Sequence, residues 1–209
     1  MKPSTHRTGN SGDPAMPLGR TDGLAEAARE SRDRVQEFIY KRYAAEYGAK
    51  LPHFMPRLFS YHSESAGLIG AFGLRTADQT LFLERYLDRP IETALASKLG
   101  IDVNRKHIVE VGQFAGTGPG AVRAMIVGLT AHLHNEGYRW VVFTGTMGLR
   151  NSFRRLGLNP LDIARADSTR LTSDELNQWG TYYQNHPRVQ FGDIAEGYAT
   201  LSRARRSCD

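Results

Sequence analysis

The sequence has one cysteine, few lysines and no long apolar run. Its only cysteine is Cys208. This excludes intramolecular disulfides and metal sites built from several cysteines. A lone thiol fits a reducing compartment, and we expect a cytoplasmic protein. No segment approaches the roughly eighteen apolar residues that a membrane-spanning helix needs, so a stable transmembrane span is not expected.

The two ends of the chain are polar. The N-terminal residues mix Pro, Gly, Ser, Thr and charge without the apolar centre of a secretory signal, which predicts a disordered leader over residues 1–23. The closing SRARRSCD predicts a basic flexible tail over residues 201–209. With 40% hydrophobic residues the chain can build a core, and residues 24–200 are expected to form a single domain.

The net charge of +5 comes mostly from arginine. A basic protein suits an anionic partner, such as a phosphate or an acidic protein surface, but the charge does not choose among such partners. The sequence contains no helix-turn-helix, zinc finger or other recognisable module for nucleic acid, and we expect no nucleic-acid partner.

Hydrophobic periodicity predicts a helix, a hairpin and a second helix in the first half of the chain. A helical pattern runs from Leu24 to Tyr47 and stops at Gly48. The segments RLFSYH and LIGAFGL, parted by SESAG, predict a hairpin over residues 57–74. Pro90 and Gly100 are placed to begin and end the next helix.

The second half of the chain contains a strand, a helix and a strand. The strands are predicted at Ile108–Phe114 and Trp140–Thr144, and the helix between them ends at Gly137. A shorter helix follows and stops at Gly157. Two strands joined through a helix pair in parallel. Together with the hairpin, this unit predicts a mixed α/β fold, with a central twisted mixed sheet covered by helices on both faces.

A glycine-rich turn, GTGPG, lies between the first of these strands and its helix. Free backbone N–H groups and a helix N-terminus at such a place favour phosphate. The sequence is neither a Walker loop nor GxGxxG, and glycine and proline also make ordinary turns. The turn alone leaves both interpretations open.

Glu110 lies in the middle of an apolar strand. A buried carboxylate is costly unless it is paired, hydrogen-bonded or protonated, so Glu110 should have a partner. Burial would raise its pKa into the range of a general base. The alternative is a structural ion pair with one of the arginines.

Four blocks of this sequence together resemble the thermostable haemolysin family. They are LFLERYLDRPIE from Leu81, IVEVGQFA from Ile108, WVVFTGTMGLRNSFRRLGL from Trp140 and WGTYYQNHPRV from Trp179. The resemblance covers about residues 32–197. It implies the GNAT-like acyltransferase fold and a distant similarity to acyl-homoserine-lactone autoinducer synthases.

The resemblance also implies where a donor would bind. In GNAT-like enzymes an acyl-thioester pantetheine lies between two splayed parallel strands, with its phosphates at the glycine turn. Carried over to this sequence, the donor-binding candidates are Val111, Gly112, Gln113, Phe114, Gly116, Thr117, Gly118, Gly120, Arg150, Asn151 and Arg154. The arginines near residue 150 would contact a CoA phosphate or an acidic carrier protein, unless they form only a solvated face.

Three departures from the related patterns limit what is implied. GTGPGAV differs from the usual acetyl-CoA-binding turn. Phe153 stands where many acetyltransferases have the tyrosine that protonates the leaving thiolate, and Gln113 replaces an arginine of the autoinducer synthases. Tyr182 or Tyr183 could supply the missing acid, although aromatic pairs more often belong to a core or an interface.

The acceptor-binding candidates lie around the Pro90 helix: Glu84, Tyr86, Asp88 and Glu92. Carboxylates there could hold the ammonium of an amine substrate. Alternatively, Asp88 caps the helix and the others are solvated. No metal site is expected, because His132 and His134, two residues apart on a helix, cannot share one face.

The resemblance thus implies an N-acyltransferase that moves an acyl group from an acyl-carrier-protein or acyl-CoA thioester to a small amine or amino acid. Glu110 is the predicted base, with Tyr182 and Tyr183 as the other catalytic candidates, and the acyl thioester is a co-substrate rather than a tightly bound cofactor. The alternatives are a membrane-disrupting haemolysin and a non-catalytic module that binds a carrier protein. Pairing into a homodimer through a sheet edge or the WGTYY segment also stays open.

Overall fold

The computed structural model describes residues 23–206. The predicted leader, apart from Gly23, and the last three residues of the predicted tail lie outside the described residues. Within the described range a seven-stranded sheet has the order β1-β2-β3-β4-β5-β7-β6. Its strands are β1 (Leu24–Glu26), β2 (Arg57–Ser63), β3 (Gly67–Thr76), β4 (Ile108–Gly116), β5 (Trp140–Gly145), β6 (Leu161–Arg165) and β7 (Arg188–Asp193).

The helices lie between and after these strands. They are α1 (Arg32–Tyr47), α2 (Ile91–Leu99), α3 (Pro119–Asn135), α4 (Met147–Arg155), α5 (Ser173–Gln178) and α6 (Ile194–Arg206). Short 3₁₀ turns occur at Phe82–Tyr86, Arg105–His107, Ser168–Arg170 and Tyr182–Asn185. No helix within residues 23–206 is both long and apolar enough to cross a membrane.

The sheet is mixed, as predicted. β4 and β5 pair in parallel, with α3 between them in the chain, and every other neighbouring pair is antiparallel. The hairpin of β2 and β3 and the strand–helix–strand unit are therefore confirmed. The helix predicted between Pro90 and Gly100 is confirmed as α2, which ends at Gly100 with φ of 69°.

Two predicted boundaries were wrong. The helix expected from Leu24 begins only at Arg32, because residues 24–26 pair with Phe59–Tyr61 of β2 instead. The chain from residue 201 to Arg206 is helical rather than a flexible tail. Leu201 and Ser202 are buried there, and the Ser202 hydroxyl donates to the Tyr198 carbonyl oxygen at 2.7 Å.

Helices cover both faces of the sheet, as predicted. On one face α1 packs through Val35, Ile39 and Tyr43, and α2 packs through Ile91 and Leu95 in a separate cluster. On the other face α3 buries Met125, Ile126, Leu129 and Leu133, and it contacts α4 and α6. The apolar side chains of α3 thus pack against the sheet.

Two glycines of β3 make room for methionines on opposite faces. A Cβ at Gly70 would lie 2.3 Å from Sδ of Met125, and a Cβ at Gly73 would lie 2.5 Å from Cβ of Met55. The close approach to Met125 lets α3 sit near the sheet. The approach to Met55 brings the segment before β2 over the centre of β3 and β4.

We expect Gly73→Ala to lower the free energy of unfolding by about 1–3 kcal/mol, because the new methyl group meets a backbone-proximal atom that cannot swing away. Gly120→Ala is the matched control. Nothing lies within 4 Å of a Cβ at that position in α3, so alanine should raise the free energy of unfolding by about 0.5–1 kcal/mol. Urea unfolding of both variants measures these changes; equal effects would contradict the packing at Met55.

Candidate active site

The parallel strands β4 and β5 separate in the middle of the sheet. Their pairing runs from Ile108 opposite Trp140 to Val111 opposite Phe143, although β4 continues to Gly116. Where the pairing stops, β4 has a bulge against β3. Between two paired positions β3 advances two residues and β4 three, and Gln113 adopts φ of 53°. A bulge bends its strand, which opens a gap between β4 and β5.

A cavity of about 1030 Å³ is lined from both faces of the sheet at this gap. On the α1 face it meets Tyr43, Tyr47 and Trp179, and on the α3 face Ile126 and Phe153. Since residues of both faces line one cavity, it passes through the sheet where β4 and β5 are unpaired. The splayed strands therefore create the space in which a ligand can reach the middle of the sheet.

Glu110 lies on β4 just before the gap and lines the cavity, although only 3% of its surface is exposed. Its two carboxylate oxygens accept backbone N–H groups of Phe82 and Leu83, each at 2.9 Å. The predicted partner is thus the backbone of the 82–86 turn, not an arginine. Burial raises the pKa of Glu110 to about 7, although these hydrogen bonds and the charge of Arg75 act in the opposite direction. A carboxyl group with this pKa exchanges protons near neutral pH.

Most of the donor-binding residues predicted on β4 and its turn line the cavity. They are Val111, Gly112, Gln113, Phe114, Gly116 and Gly118, whereas Thr117 and Gly120 are outside the lining. The side chain of Gln113 is hydrogen-bonded to the backbone of the segment before β2. Its amide accepts the Met55 N–H at 3.0 Å and donates to the His53 carbonyl oxygen at 2.7 Å, which holds residues 53–55 over the bulge.

The arginines predicted on α4 are separated from the cavity. Arg150 and Arg154 line a smaller cavity of about 270 Å³ on the β6 side, while Asn151 lines the large one. Two other arginines line the large cavity, Arg155 at the end of α4 and Arg123 near the start of α3. Sequence position did not separate them, because which face of a short helix meets the sheet depends on its packing.

The predicted acceptor carboxylates are outside the cavity. Arg105 donates to Glu84 at 2.5 Å and to Glu92 at 2.6 Å, and Asp88 forms an ion pair with Arg170. Burial opposes ionisation of Glu84, but hydrogen bonds from Arg105 and from two backbone N–H groups outweigh it and lower its pKa to about 2. These carboxylates are already neutralised by arginines. Asp88 is also not the predicted cap, since Pro90 occupies that position in α2.

The predicted tyrosines have different surroundings. Tyr182 is buried, lines the cavity and donates its hydroxyl to the Thr144 carbonyl oxygen of β5 at 3.3 Å. Tyr183 is outside the cavity lining and shares a hydrogen bond with the hydroxyl of Tyr86, which does line it. Burial raises the pKa of Tyr182 well above its ordinary value, so its hydroxyl stays protonated.

Sequence reasoning named Tyr182 but missed the aromatic wall to which it belongs, and it missed Arg75. Aromatic rings form one wall of the cavity on the α1 face: Tyr43, Tyr47, Phe82, Trp179 and Tyr182. Arg75 of β3 is paired with Glu110 on the neighbouring strand β4, and it also lines the cavity. The i, i+4 spacing of Tyr43 and Tyr47 was a signal for the aromatic wall. The position of Arg75 beside Glu110 depends on the register of β3 and β4, which the sequence does not determine by itself.

Metal ligands are not clustered within residues 23–206, where no three His, Cys, Asp or Glu side chains are grouped to hold an ion.

Comparison with known proteins identifies a family and a fold. The family described as Thermostable hemolysin matches residues 25–198. Among curated proteins no sequence matches the chain.

Several solved structures share the fold at low sequence identity. TofI, in a ternary complex with an inhibitor and MTA, has a TM-score of 0.55 at 17% identity, covering 86% of this chain and 95% of its own. FeeM, an N-acyl amino acid synthase from uncultured soil microbes, has a TM-score of 0.55 at 14% identity, covering 85% and 98%. BjaI, a CoA-dependent acyl-homoserine lactone synthase with SAM and isopentyl-CoA, has a TM-score of 0.55 at 11% identity, covering 87% and 88%. The predicted GNAT-like fold is confirmed.

We expect Arg105→Met to lower the free energy of unfolding by about 1–3 kcal/mol at pH 7, because Glu84 and Glu92 lose their shared cation. A lowered carboxyl pKa stabilises the folded state above the ordinary value of 4.5, and this stabilisation is lost as the pH falls toward 2. The difference between variant and wild type should therefore shrink at pH 3. Urea unfolding at both pH values measures it, and an equal difference at both would assign the effect to the packing of the arginine stem.

Proposed function

This chain belongs to the thermostable hemolysin family, and we propose that it is an N-acyltransferase that moves an acyl group from a thioester to an amine. The observation that carries the proposal is the ionisable, buried Glu110 at a gap between splayed parallel strands. FeeM and BjaI, which share the fold, are named as acyl-transferring synthases. Because their sequence identity to this chain is low, these structures support only the fold. The support for the acyl transfer comes from the residues of the site.

The donor is proposed to enter along β4 and the glycine turn. Gly116 and Gly118 line the cavity immediately before the N-terminus of α3, where backbone N–H groups and the helix dipole favour phosphate. Arg123, near the start of α3, adds positive charge at the same end. A pantetheine phosphate would bind there, whether it is carried by CoA or by an acyl carrier protein.

The acyl chain is proposed to occupy the α3 face of the cavity. Seven apolar residues line it there: Val122, Ile126, Leu129, Leu133, Phe143, Phe153 and Ile194. Such side chains gain free energy from burying the methylene groups of an acyl chain. The proposal therefore favours donors whose chains are longer than acetyl.

The reaction proceeds in the gap. Glu110, directly or through a water, removes a proton from the acceptor ammonium, and the free amine attacks the thioester carbonyl carbon. Backbone N–H groups around Val111 to Phe114 bind the carbonyl oxygen as negative charge develops on it. The C–N bond forms, the C–S bond breaks, and the amine gives up a second proton. The products are an amide, a thiol and one released proton.

Tyr182 is proposed to protonate the leaving thiolate. It lines the cavity on the same side as Glu110, next to the end of β5 that no longer pairs with β4. Its hydroxyl is protonated at neutral pH. Phe153, on α4, has no proton to give and packs on Phe143 with ring centroids 5.0 Å apart. Tyr183 has no access to the cavity lining and would support Tyr86.

We expect Glu110→Gln to reduce kcat by about 10²–10⁴-fold, because the variant cannot accept a proton. Wild-type turnover should rise as the pH increases through about 7, when Glu110 ionises, and the variant should lack this rise. Thioester consumption measured from pH 5.5 to 9, with a panel of acyl-CoA and acyl-carrier-protein donors, tests both. Glu84→Gln is the matched control, because Glu84 also accepts two backbone N–H groups but is outside the cavity.

The same substitution separates catalysis from folding. A raised carboxyl pKa stabilises the folded protein fully below 4.5, and that contribution is lost as the pH rises through about 7. Relative to wild type, Glu110→Gln should therefore gain roughly 3 kcal/mol of stability between pH 4.5 and pH 8. Urea unfolding of both proteins at the two pH values measures this. A large loss of stability at pH 8, matching the loss of turnover, would make Glu110 a structural residue.

We expect Tyr182→Phe to lower kcat by about 10–100-fold with ordinary alkyl thioesters. The loss should be much smaller with an aryl thioester, because an aryl thiolate leaves without needing a proton. Tyr183→Phe is the control, since it removes a hydroxyl that is outside the cavity lining. An equal loss with both leaving groups would show that the Tyr182 hydroxyl positions β5 instead of donating a proton.

A further inference from the structure

We infer that Arg75 binds a carboxylate of the acceptor, so that the amine substrate is an α-amino acid. This inference rests on the proposed acyl transfer and names the class of its acceptor. Arg75 and Glu110 are paired across β3 and β4, and both line the cavity. They therefore present a cation and a carboxylate side by side at the reaction centre.

The guanidinium of Arg75 is not neutralised within residues 23–206. Its Nη1 donates to the Thr80 carbonyl oxygen at 3.3 Å, and its buried Nε has no hydrogen-bond partner among these residues. In the described part of the chain no carboxylate forms an ion pair with Arg75, because Glu110 is turned to the backbone of Phe82 and Leu83. The guanidinium is partly buried and lacks an anion, so a carboxylate of the ligand would form a charge-assisted pair with it.

Another arginine of the same cavity shows the contrast. Arg85 pairs with Glu175 at 2.6 Å and lies over the Phe82 ring at 4.1 Å. Its charge is already balanced, and its position is fixed by the ring. Arg42 also lines the cavity with an unpartnered Nε, but it is on α1 and not beside Glu110. Arg75 is thus the cation that a ligand bound at Glu110 would meet first.

The spacing suits an α-amino acid. Side chains directly opposite on antiparallel strands have Cβ atoms about 4.5–5.5 Å apart. In an amino acid the ammonium and the carboxylate are attached to one carbon, so the two groups can reach Glu110 and Arg75 together. A guanidinium binds a carboxylate through two parallel hydrogen bonds, which fixes the amine toward the base. The substrate's side chain would then face the aromatic wall formed by Tyr43, Tyr47, Phe82, Trp179 and Tyr182.

The test compares each amino acid with its own carboxamide as acceptor. Phenylalanine, leucine and glycine are paired with phenylalaninamide, leucinamide and glycinamide, with the best donor from the panel. Because an amide has the less basic ammonium, chemistry alone favours the amide. We expect wild-type kcat/KM to favour the acids by about 10- to 100-fold, as for a charge-assisted hydrogen-bonded pair.

Arg75→Gln should lose this preference through a higher KM for the acids, with the amides changed by less than about threefold. Arg75→Lys keeps the positive charge but cannot form two parallel hydrogen bonds to a carboxylate, so it should retain an intermediate preference for the acids. Arg42→Gln and Arg85→Gln should keep the wild-type preference. If Arg75 only tuned Glu110, Arg75→Gln would shift the pH profile for acids and amides alike, which would overturn the inference.

The failures of the two proposals are distinguishable. Equal transfer to acids and amides by the wild type would leave the acyltransferase standing and overturn the role of Arg75, as would loss of the preference in Arg42→Gln alone. Transfer to no acceptor would refute the proposed function. In that case, calorimetric titration with phenylalanine decides the inference: binding lost in Arg75→Gln upholds it, and equal or absent binding overturns it.

Discussion

The end of pairing between β4 and β5 is the constraint on which the site depends. A sheet that stayed paired to the ends of both strands would bury its middle completely. The bulge at Gln113 turns β4 away from β5 after Val111, and the cavity passes through the sheet at that point. Glu110, immediately before the separation, keeps the burial that raises its pKa while gaining access to the cavity. One backbone irregularity therefore provides both the cavity and the access of an ionisable carboxyl group to it.

The site keeps some charges balanced and leaves others open. Outside the cavity, Arg105 binds Glu84 and Glu92, and Arg170 binds Asp88. These pairs fix the turn that begins at Phe82, whose backbone N–H holds Glu110. Inside the cavity, Arg75 and Glu110 do not neutralise each other. The balanced pairs thus hold the backbone that positions the Glu110 carboxylate.

The sequence was sufficient for those features that local chemistry determines. Periodicity together with Gly48, Pro90, Gly100 and Gly157 predicted α1 to α4 but not α5 and α6, and a carboxylate within an apolar strand singled out Glu110. It could not supply features that need a partner from elsewhere. The three residues of β1 become a strand only by pairing with β2. Glu84 and Glu92 resembled acceptor ligands because Arg105, 21 and 13 residues away, reaches them only after folding. Arg75 lies beside Glu110 because of the register between β3 and β4. Tyr182 and Tyr183 are neighbours in the sequence, but only Tyr182 lines the cavity.

The parts of the site come from distant points in the chain. Gln113 holds Met55, 58 residues earlier, and the Thr181 hydroxyl, beside Tyr182, donates to the Tyr47 carbonyl oxygen, 134 residues earlier. Contacts of this separation form late, because the loops between them must close first. A ribosome that has made only β1 to β5 has made Glu110, Tyr43, Tyr47 and Phe82, but not Trp179 and Tyr182 of the aromatic wall. The growing chain therefore carries no finished reaction centre, and its exposed β5 edge waits for β7 to be synthesised before the sheet is complete.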